Sequence, residues 1–281
     1  MENPLISVII PAHNNGATIR VAVDSIRGQT YRNLEIIIVD DNSTDDTSEV
    51  VRALESEDPR VRYFKLEDND TDRIDTSLGR NVNAGYSARN HGFTKAQGGF
   101  ITFQDGDDAS LKNRIEIQYR LLSEYNASHI TTGWLPFSDE LLNTQGDVQV
   151  REPKLGPDKL YTLSQETKGL VAKVAPRLNA LIPFRYKRLR VINKLFFGSL
   201  APYPGAGNSP LFRREVIEKV RFRKLRDRVW PSFMGRGADR DFNFQVAETF
   251  RKSYMFPIPL YMWRVIKQNS RYEGKELEFL K

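Results

Sequence analysis

Apolar residues gather along the N-terminal half of the chain in short uniform runs, and each run stops at a cluster of polar residues. Leu5–Pro11 (LISVIIP), Leu34–Asp40 (LEIIIVD), Val61–Leu66 (VRYFKL) and Phe100–Gln104 (FITFQ) predict four strands. Runs this short and this uniformly apolar suit strands covered on both faces. The segments between them change period. GATIRVAVDSIRGQ sets Ile19, Val23 and Ile26 on one helical face. DNSTDDTSEVVRAL predicts a helix start with Ser43 or Thr44 as cap, Asp45 and Asp46 at the positive end of the dipole, and Val50, Val51 and Leu54 facing inward. A polar stretch to about Asn83 leads into a helix through SARNHGFTKAQ, closed by Gly98 and Gly99. Strand alternating with helix four times predicts an α/β fold with a parallel sheet and right-handed crossovers.

Beyond Gln104 the pattern loosens. LKNRIEIQYRLLSEY predicts a helix and HITTGWL a strand. Lys168–Ile182 predicts one amphipathic helix, followed by the mixed run FRYKRLRVINKLFF. PLFRREVIEKV and ADRDFNFQVAETFRKS read as helical, the second with Phe242, Val246 and Phe250 on one stripe, and MFPIPLYMWRV reads as extended. The segments divide at about residue 135. Residues 1–135 form a regular α/β half, and 136–281 a less regular region with a basic insertion at about 143–207, within one continuous domain.

The topology gives the polar clusters a shared address. In open α/β sheets the ligand crevice lies outside the carboxyl ends of the strands. Pro11, Ala12, His13 and Asn14 follow the first strand, Asp40 and Asp41 end the second, and Asp105-Gly106-Asp107-Asp108 follows the fourth. Carboxylates packed this closely repel unless a cation or open water relieves them. One reading is a solvated turn, since Asp and Gly are common there. The other is a hard-cation site completed by phosphate and water. The 281 residues include no cysteine, which excludes disulfides, thiolate metal sites and Cys nucleophiles. Asp, Glu and His remain as ligands, suited to Mg²⁺ or Mn²⁺. His13, His91 and His129 are scattered without metal-ligand spacing and read as structural or surface residues.

SVIIPAHN, IIIVDDNSTDDT and NAGYSARNHGFTKAQGGFITFQDGDD, in this order and strand context, resemble the successive motifs of the family 2 glycosyltransferases over Leu5 to about Arg120. NSPLFRREV, GADRDFNFQVA and WRVIKQNS resemble the family's later segments more loosely. The resemblance implies a GT-A fold: a Rossmann-like, mostly parallel sheet flanked by helices, with a C-terminal acceptor-side subdomain. It implies inverting transfer of a sugar from a nucleoside-diphosphate sugar, UDP-linked by expectation, to an acceptor hydroxyl of a glycan or lipid-linked acceptor. Surface polysaccharide or glycolipid assembly is the setting it implies.

Residue roles follow from the same resemblance. Pro11, Ala12 and Asn14 line the base and ribose; Asp41 accepts a hydrogen bond from the base, and Asp40 braces its loop. Arg89 faces the diphosphate. Asp105 holds the ribose and, with Asp107, the Mn²⁺ or Mg²⁺ ion; Asp108 can replace either. Gly205, Ala206, Gly207 and Asn208 line the donor and acceptor pocket. Asp239 is the base that deprotonates the acceptor, or else a helix cap. The family's usual Glu before this Asp is Ala238 here, and Arg264 is followed by Val265, Ile266 and Lys267 where some members place a metal-binding His. Lys267 is then available to neutralise phosphate. A nucleotidyltransferase is a rival reading, but PAHNNGAT is a poor phosphate-cradling loop. A non-catalytic nucleotide-sugar-binding subunit is the other.

Net charge is +6, unevenly placed. Between Lys168 and Arg214 stand ten Lys or Arg and no acid, so setting those ten aside leaves about −4 for the remainder. The stretch 168–197 reads either as a solvated charged face or as peripheral contact with an anionic membrane. No helix-turn-helix, RRM or zinc-finger pattern supports nucleic acid. With no basic start, no long apolar leader and no spanning run, the expected location is cytoplasmic, with peripheral contact on the inner face of the cell membrane.

Overall fold

The computed structural model describes residues 3–68, 85–147, 149, 152–199, 201–231 and 237–264, and the backbone of 74–75 and 80–81. The strands are β1 (Ile6–Ala12), β2 (Leu34–Asp40), β3 (Val61–Lys65), the small pair β4 (Ile74–Asp75) and β5 (Arg80–Asn81), β6 (Phe100–Phe103), β7 (Ala109–Ser110), β8 (His129–Pro136), β9 (Leu211–Arg213) and β10 (Ser253–Trp263). The α-helices are α1 (Ile19–Arg27), α2 (Thr47–Glu57), α3 (Tyr86–Lys95), α4 (Arg114–Glu124), α5 (Pro157–Glu166), α6 (Leu170–Val174), α7 (Pro176–Leu181), α8 (Phe184–Lys187), α9 (Asn193–Phe197), α10 (Val216–Lys219) and α11 (Ala238–Phe250).

Eight strands form one sheet in the order β3-β2-β1-β6-β9-β8-β10-β7. The first four run parallel, as the alternation of strands and helices predicts. β9 inserts antiparallel between β6 and β8, and β10 runs parallel to β8. The fold is mixed α/β with helices on both faces of the sheet. The uniform apolar runs are explained by period 2. Ile6, Val8 and Ile10 of β1 and Ile36 and Ile38 of β2 pack with Ile19, Val23, Ile26, Val51 and Leu54. Ile9, Ile37 and Val39 face the other way, toward Phe93, Phe242 and Val246. Both faces are buried, so apolar residues run consecutively, and the buried polar pair Ser7 and Glu35 is bonded to itself at 2.6 Å.

Three local expectations are corrected. Lys168–Ile182 is two helices rather than one, because Pro176 opens α7 and holds Ala175 out of the helical region at φ −144°, ψ 64°. Leu211–Arg213, read as the start of a helix, is a strand bonded on both edges, and only Val216–Lys219 turns helical. Neither Ser43 nor Thr44 caps α2. The helix starts at Thr47, whose amide donates to Asp45 Oδ1 at 3.1 Å. Ser43 instead holds the preceding loop: its hydroxyl accepts from the Asn14 amide and its own amide donates to Asp40.

The strand order puts the topological switch between β1 and β6. The register Ile9↔Phe103 brings Asp105, two residues further on, level with Pro11. In β10, Pro257 and Pro259 are accommodated by register shifts against β8, as proline requires inside a sheet. The strand still carries Tyr261 to the acid loop. No helix among the described residues is long and apolar enough to cross a membrane.

Candidate active site

Asp105, Asp107 and Asp108 each offer a carboxylate oxygen, and these lie within 4.8 Å of one another. The loop that carries them is pinned from below: the Thr18 hydroxyl, at the start of α1, donates to Gly106 O at 2.9 Å. The three acids differ in what holds them. Asp105 accepts from Arg89 at one oxygen and from Asn208 Nδ2 at the other, the latter at 2.9 Å. Asp108 accepts from the Tyr261 hydroxyl at 2.7 Å and from the Arg264 amide at 2.7 Å. No described side chain donates to the Asp107 carboxylate. Burial first, then the charge of Asp105, pushes the Asp107 carboxyl above its ordinary range. Burial, then Asp107 and Asp105, does the same to Asp108. This cluster is short of positive charge, and its hard oxygen donors are of the kind that bind Mg²⁺ or Mn²⁺.

Arg89 lies beneath the cluster. Its guanidinium packs 5.5 Å from the centroids of both the Phe103 and Phe222 rings, and its side chain is nearly buried. α3 and the stacked Phe222–Phe242 pair thus aim one cation at Asp105. Arg264 adds a second nearby, with Nε donating to Asp107 O at 2.9 Å. Val265, Ile266 and Lys267, and with them the expected phosphate contact of Lys267, lie outside the described residues.

At the neighbouring strand ends, the Asp41 amide donates to Ala12 O at 2.8 Å. Asp41 is buried at 3% exposure, and His13 Nδ1 meets its carbonyl at 2.8 Å. Asn14 takes a left-handed backbone at φ 53°, and its Oδ1 accepts from the Thr44 amide. That side chain holds the loop after β2. Asp40 braces the same loop, accepting from Ser43, Ser48 and Tyr63, which hold its carboxyl below the usual range despite burial.

The segment 205–208 comes in from the opposite side. Gly205 sits at φ +79°, and a Cβ there would lie 2.6 Å from Thr132 O, so only glycine fits this turn. Ala206 donates its amide to Thr132 O at 2.7 Å and is itself buried. Asn208 then reaches Asp105. Behind the loop stands Asp239, in the first turn of α11: a Cβ built on Gly207 would be 3.3 Å from its Oδ2. Gly237 occupies the cap position, so Asp239 is not the cap, and no described residue donates a hydrogen bond to its carboxylate. Asp241, two positions on, is fully committed elsewhere. It accepts from Arg223 at 2.8 and 3.0 Å, from the Val229 and Trp230 amides, and from Gln245.

Four contributors were not apparent from sequence. Asn243 joins three elements: His129 Nε2 meets its Oδ1 at 2.7 Å, and its Nδ2 donates to Gly207 O and Asp239 O. Its position four after Asp239 was the available signal. Tyr261 and the Arg264 amide come from the last strand, with no local mark of their role. Arg228, nearly fully buried, lies in the field of Asp241, Asp239 and Arg89.

A mostly parallel sheet of this order, with carboxylates at its switch point, is the arrangement of the GT-A fold. The chain belongs to glycosyl transferase family 2, whose sequence model matches residues 7–186. Among curated relatives, it is 29% identical over 199 residues to the GalNAc(5)-diNAcBac-PP-undecaprenol beta-1,3-glucosyltransferase of Campylobacter jejuni, covering 70% of this chain and 58% of that protein. It is similar in fold to Staphylococcus aureus TarS 1–349 in complex with UDP-GlcNAc, at a TM-score of 0.57 and 15% identity, over 93% of this chain and 58% of that one. The Pyrobaculum calidifontis mannosyltransferase PcManGT, in complex with GDP-Man and Mn²⁺, gives a TM-score of 0.56 at 16% identity, over 96% and 59%. The chain spans between 17% and 58% of the length of the first curated relatives it matches.

Proposed function

We propose that this protein transfers a sugar, with inversion, from a UDP-sugar to a hydroxyl of a glycan or lipid-linked acceptor during surface polysaccharide or glycolipid assembly. One observation carries the reading: the Asp239 carboxylate, to which no described residue donates, lies against Gly207, and the next residue, Asn208, bonds Asp105 of the acid cluster. Residues 1–135 take the nucleotide half of the donor, and 136–281 the acceptor side.

Pro11, Ala12 and Asn14 shape the base and ribose site, with Asp41 as acceptor for the imide N–H of uracil. Asp107 is the principal holder of a divalent cation, Mn²⁺ or Mg²⁺, because its carboxylate is the one not engaged by neighbouring side chains; Asp105 adds an oxygen. The bound cation supplies Lewis-acid neutralisation of charge on the departing diphosphate. Arg89 and Arg264 add fixed positive charge on the same side. Asn208 and Arg89 orient Asp105, so the donor meets a set geometry.

Asp239 takes the proton of the acceptor hydroxyl as its oxygen bonds to the anomeric carbon. The bond from that carbon to the diphosphate oxygen breaks on the opposite face, and its electron pair leaves with the nucleotide. Asn243, bonded to Asp239 O and Gly207 O, holds the base and the loop at constant separation.

The test is a panel of nucleotide sugars by thermal shift, with and without Mn²⁺, followed by product analysis. A true donor raises the midpoint. Release of nucleoside diphosphate supports transfer; release of pyrophosphate assigns a nucleotidyltransferase; binding without any release assigns a non-catalytic subunit.

A further inference from the structure

Every large apolar side chain exposed among the described residues lies between Leu170 and Leu195. Val191 is 91% exposed, Leu181 76% and Val174 73%. This segment is not short of a core of its own. Phe184, Phe196 and Phe197 are buried together, with Val171, Ile182 and Ile192 packed against them. Its apolar residues therefore divide: the three Phe side chains with Val171, Ile182 and Ile192 turn inward, while aliphatic residues such as Val174, Leu181, Leu189 and Val191, with Tyr186, stay exposed. Lys187, buried, donates to Asn179 O and Arg226 O, and Lys168 pairs with Glu248 at 2.6 Å, so the segment is fastened to the rest of the fold.

Between the exposed aliphatic residues stand Lys173, Arg177, Arg190 and Lys194, all exposed and none paired with a described acidic side chain. No acid occurs from 168 to 214. This composition selects the occupant. A second copy packed on the same face would set these cations against their own kind. Nucleic acid would satisfy the charge and leave the aliphatic tips in water. A bilayer with anionic headgroups takes both: aliphatic tips enter the acyl boundary, and Lys and Arg meet phosphate.

We propose that α6 to α9 form a docking face that seats on an anionic membrane surface by inserting Val174, Leu181, Leu189 and Val191. The face also connects to the site. Arg240, adjacent to Asp239, donates to Ser199 O at 2.7 Å and to Ala201 O at 2.8 Å, where the chain leaves the docking segment. Docking would then present a lipid-linked acceptor on the side of Asp239, a consequence that rests on the function proposed above.

The test is sedimentation of the full chain with vesicles of phosphatidylcholine alone or mixed with phosphatidylglycerol, at low salt and in molar salt. The expected result is capture by the mixed vesicles, weakened by salt and reduced at least about tenfold in the double variant Leu181→Glu/Val191→Glu. Both positions are exposed, so circular dichroism should match the parent. No capture by mixed vesicles, or equal capture of the double variant, overturns the proposal. So does a concentration-dependent dimer, without lipid, that the double variant abolishes. Vesicle capture requires no turnover, so failure of the glycosyl-transfer reading leaves this result unaffected.

Discussion

Tyr261 donates its hydroxyl to Asp108 at 2.7 Å across 153 positions of chain. The contact brings the last strand onto the acid loop and, with the Arg264 amide, engages both oxygens of Asp108. It separates the neighbouring acids by role. Asp108 is a structural anchor, Asp105 is oriented by Arg89 and Asn208, and Asp107 keeps its carboxylate open.

Asp107→Asn should weaken Mn²⁺ and UDP binding together, by roughly tenfold or more, with little loss of stability. Asp108→Ala should instead leave the buried Tyr261 hydroxyl and Arg264 amide without their partner and cost about 1–3 kcal/mol of folding free energy. Calorimetric titration with manganese and UDP, beside urea unfolding, separates the two. Equal losses of binding and of stability in both variants would remove the distinction.

Asp239→Asn should cut turnover by roughly 10²-fold or more while UDP affinity holds. Steady-state release of nucleoside diphosphate and direct nucleotide titration read the two quantities. Near-normal turnover would remove Asp239 from the role of base.

Asp241→Ala should act on folding rather than on donor binding. This acid is 1% exposed and balances Arg223 while accepting from two backbone amides. Arg223 is partly exposed and can turn to water, so the cost comes mainly from leaving the Val229 and Trp230 amides without their acceptor, about 1–3 kcal/mol. Urea unfolding monitored by tryptophan fluorescence measures it.

His129 gives the stability a pH slope. The ring is fully buried, and desolvation lowers its pKa from 6.5 to about 4, partly offset by the bond to Asn243. Between those values the unfolded chain binds the proton and the folded chain does not. The contribution of the neutral ring is therefore full above 6.5 and is lost progressively on acidification, by up to about 1.4 kcal/mol per pH unit. His129→Gln should flatten that part of the profile of urea midpoint against pH. An unchanged slope would assign the acid sensitivity to other groups.

The strands of the parallel half were legible because burial on both faces leaves its mark in consecutive residues, as in Glu35-Ile36-Ile37-Ile38-Val39 between two helical stripes. β9 was not. Leu211-Phe212-Arg213 becomes a strand through pairing with β6 and β8, partners about 110 and 80 positions away respectively, and nothing local distinguishes it from a helix start. Asn243 and Tyr261 escaped for the same reason: each acts on groups that the chain brings together only after folding. The stripe Leu170, Val174, Leu178 and Leu181 has the spacing of a core-facing helix, yet it points outward because the Phe cluster fills the space behind it.

The sequence by itself determined the parallel core and the delivery of polar strand ends to one rim. Both follow from local periodicity and from the handedness of crossovers, which need no knowledge of distant contacts. Only the tertiary structure decided which carboxylate stays open, which cations face the acids, and which apolar stripe is left to solvent. Those outcomes depend on partners far apart in the chain, and a side chain's hydrogen bonds, charge state and exposure are set by what packs against it.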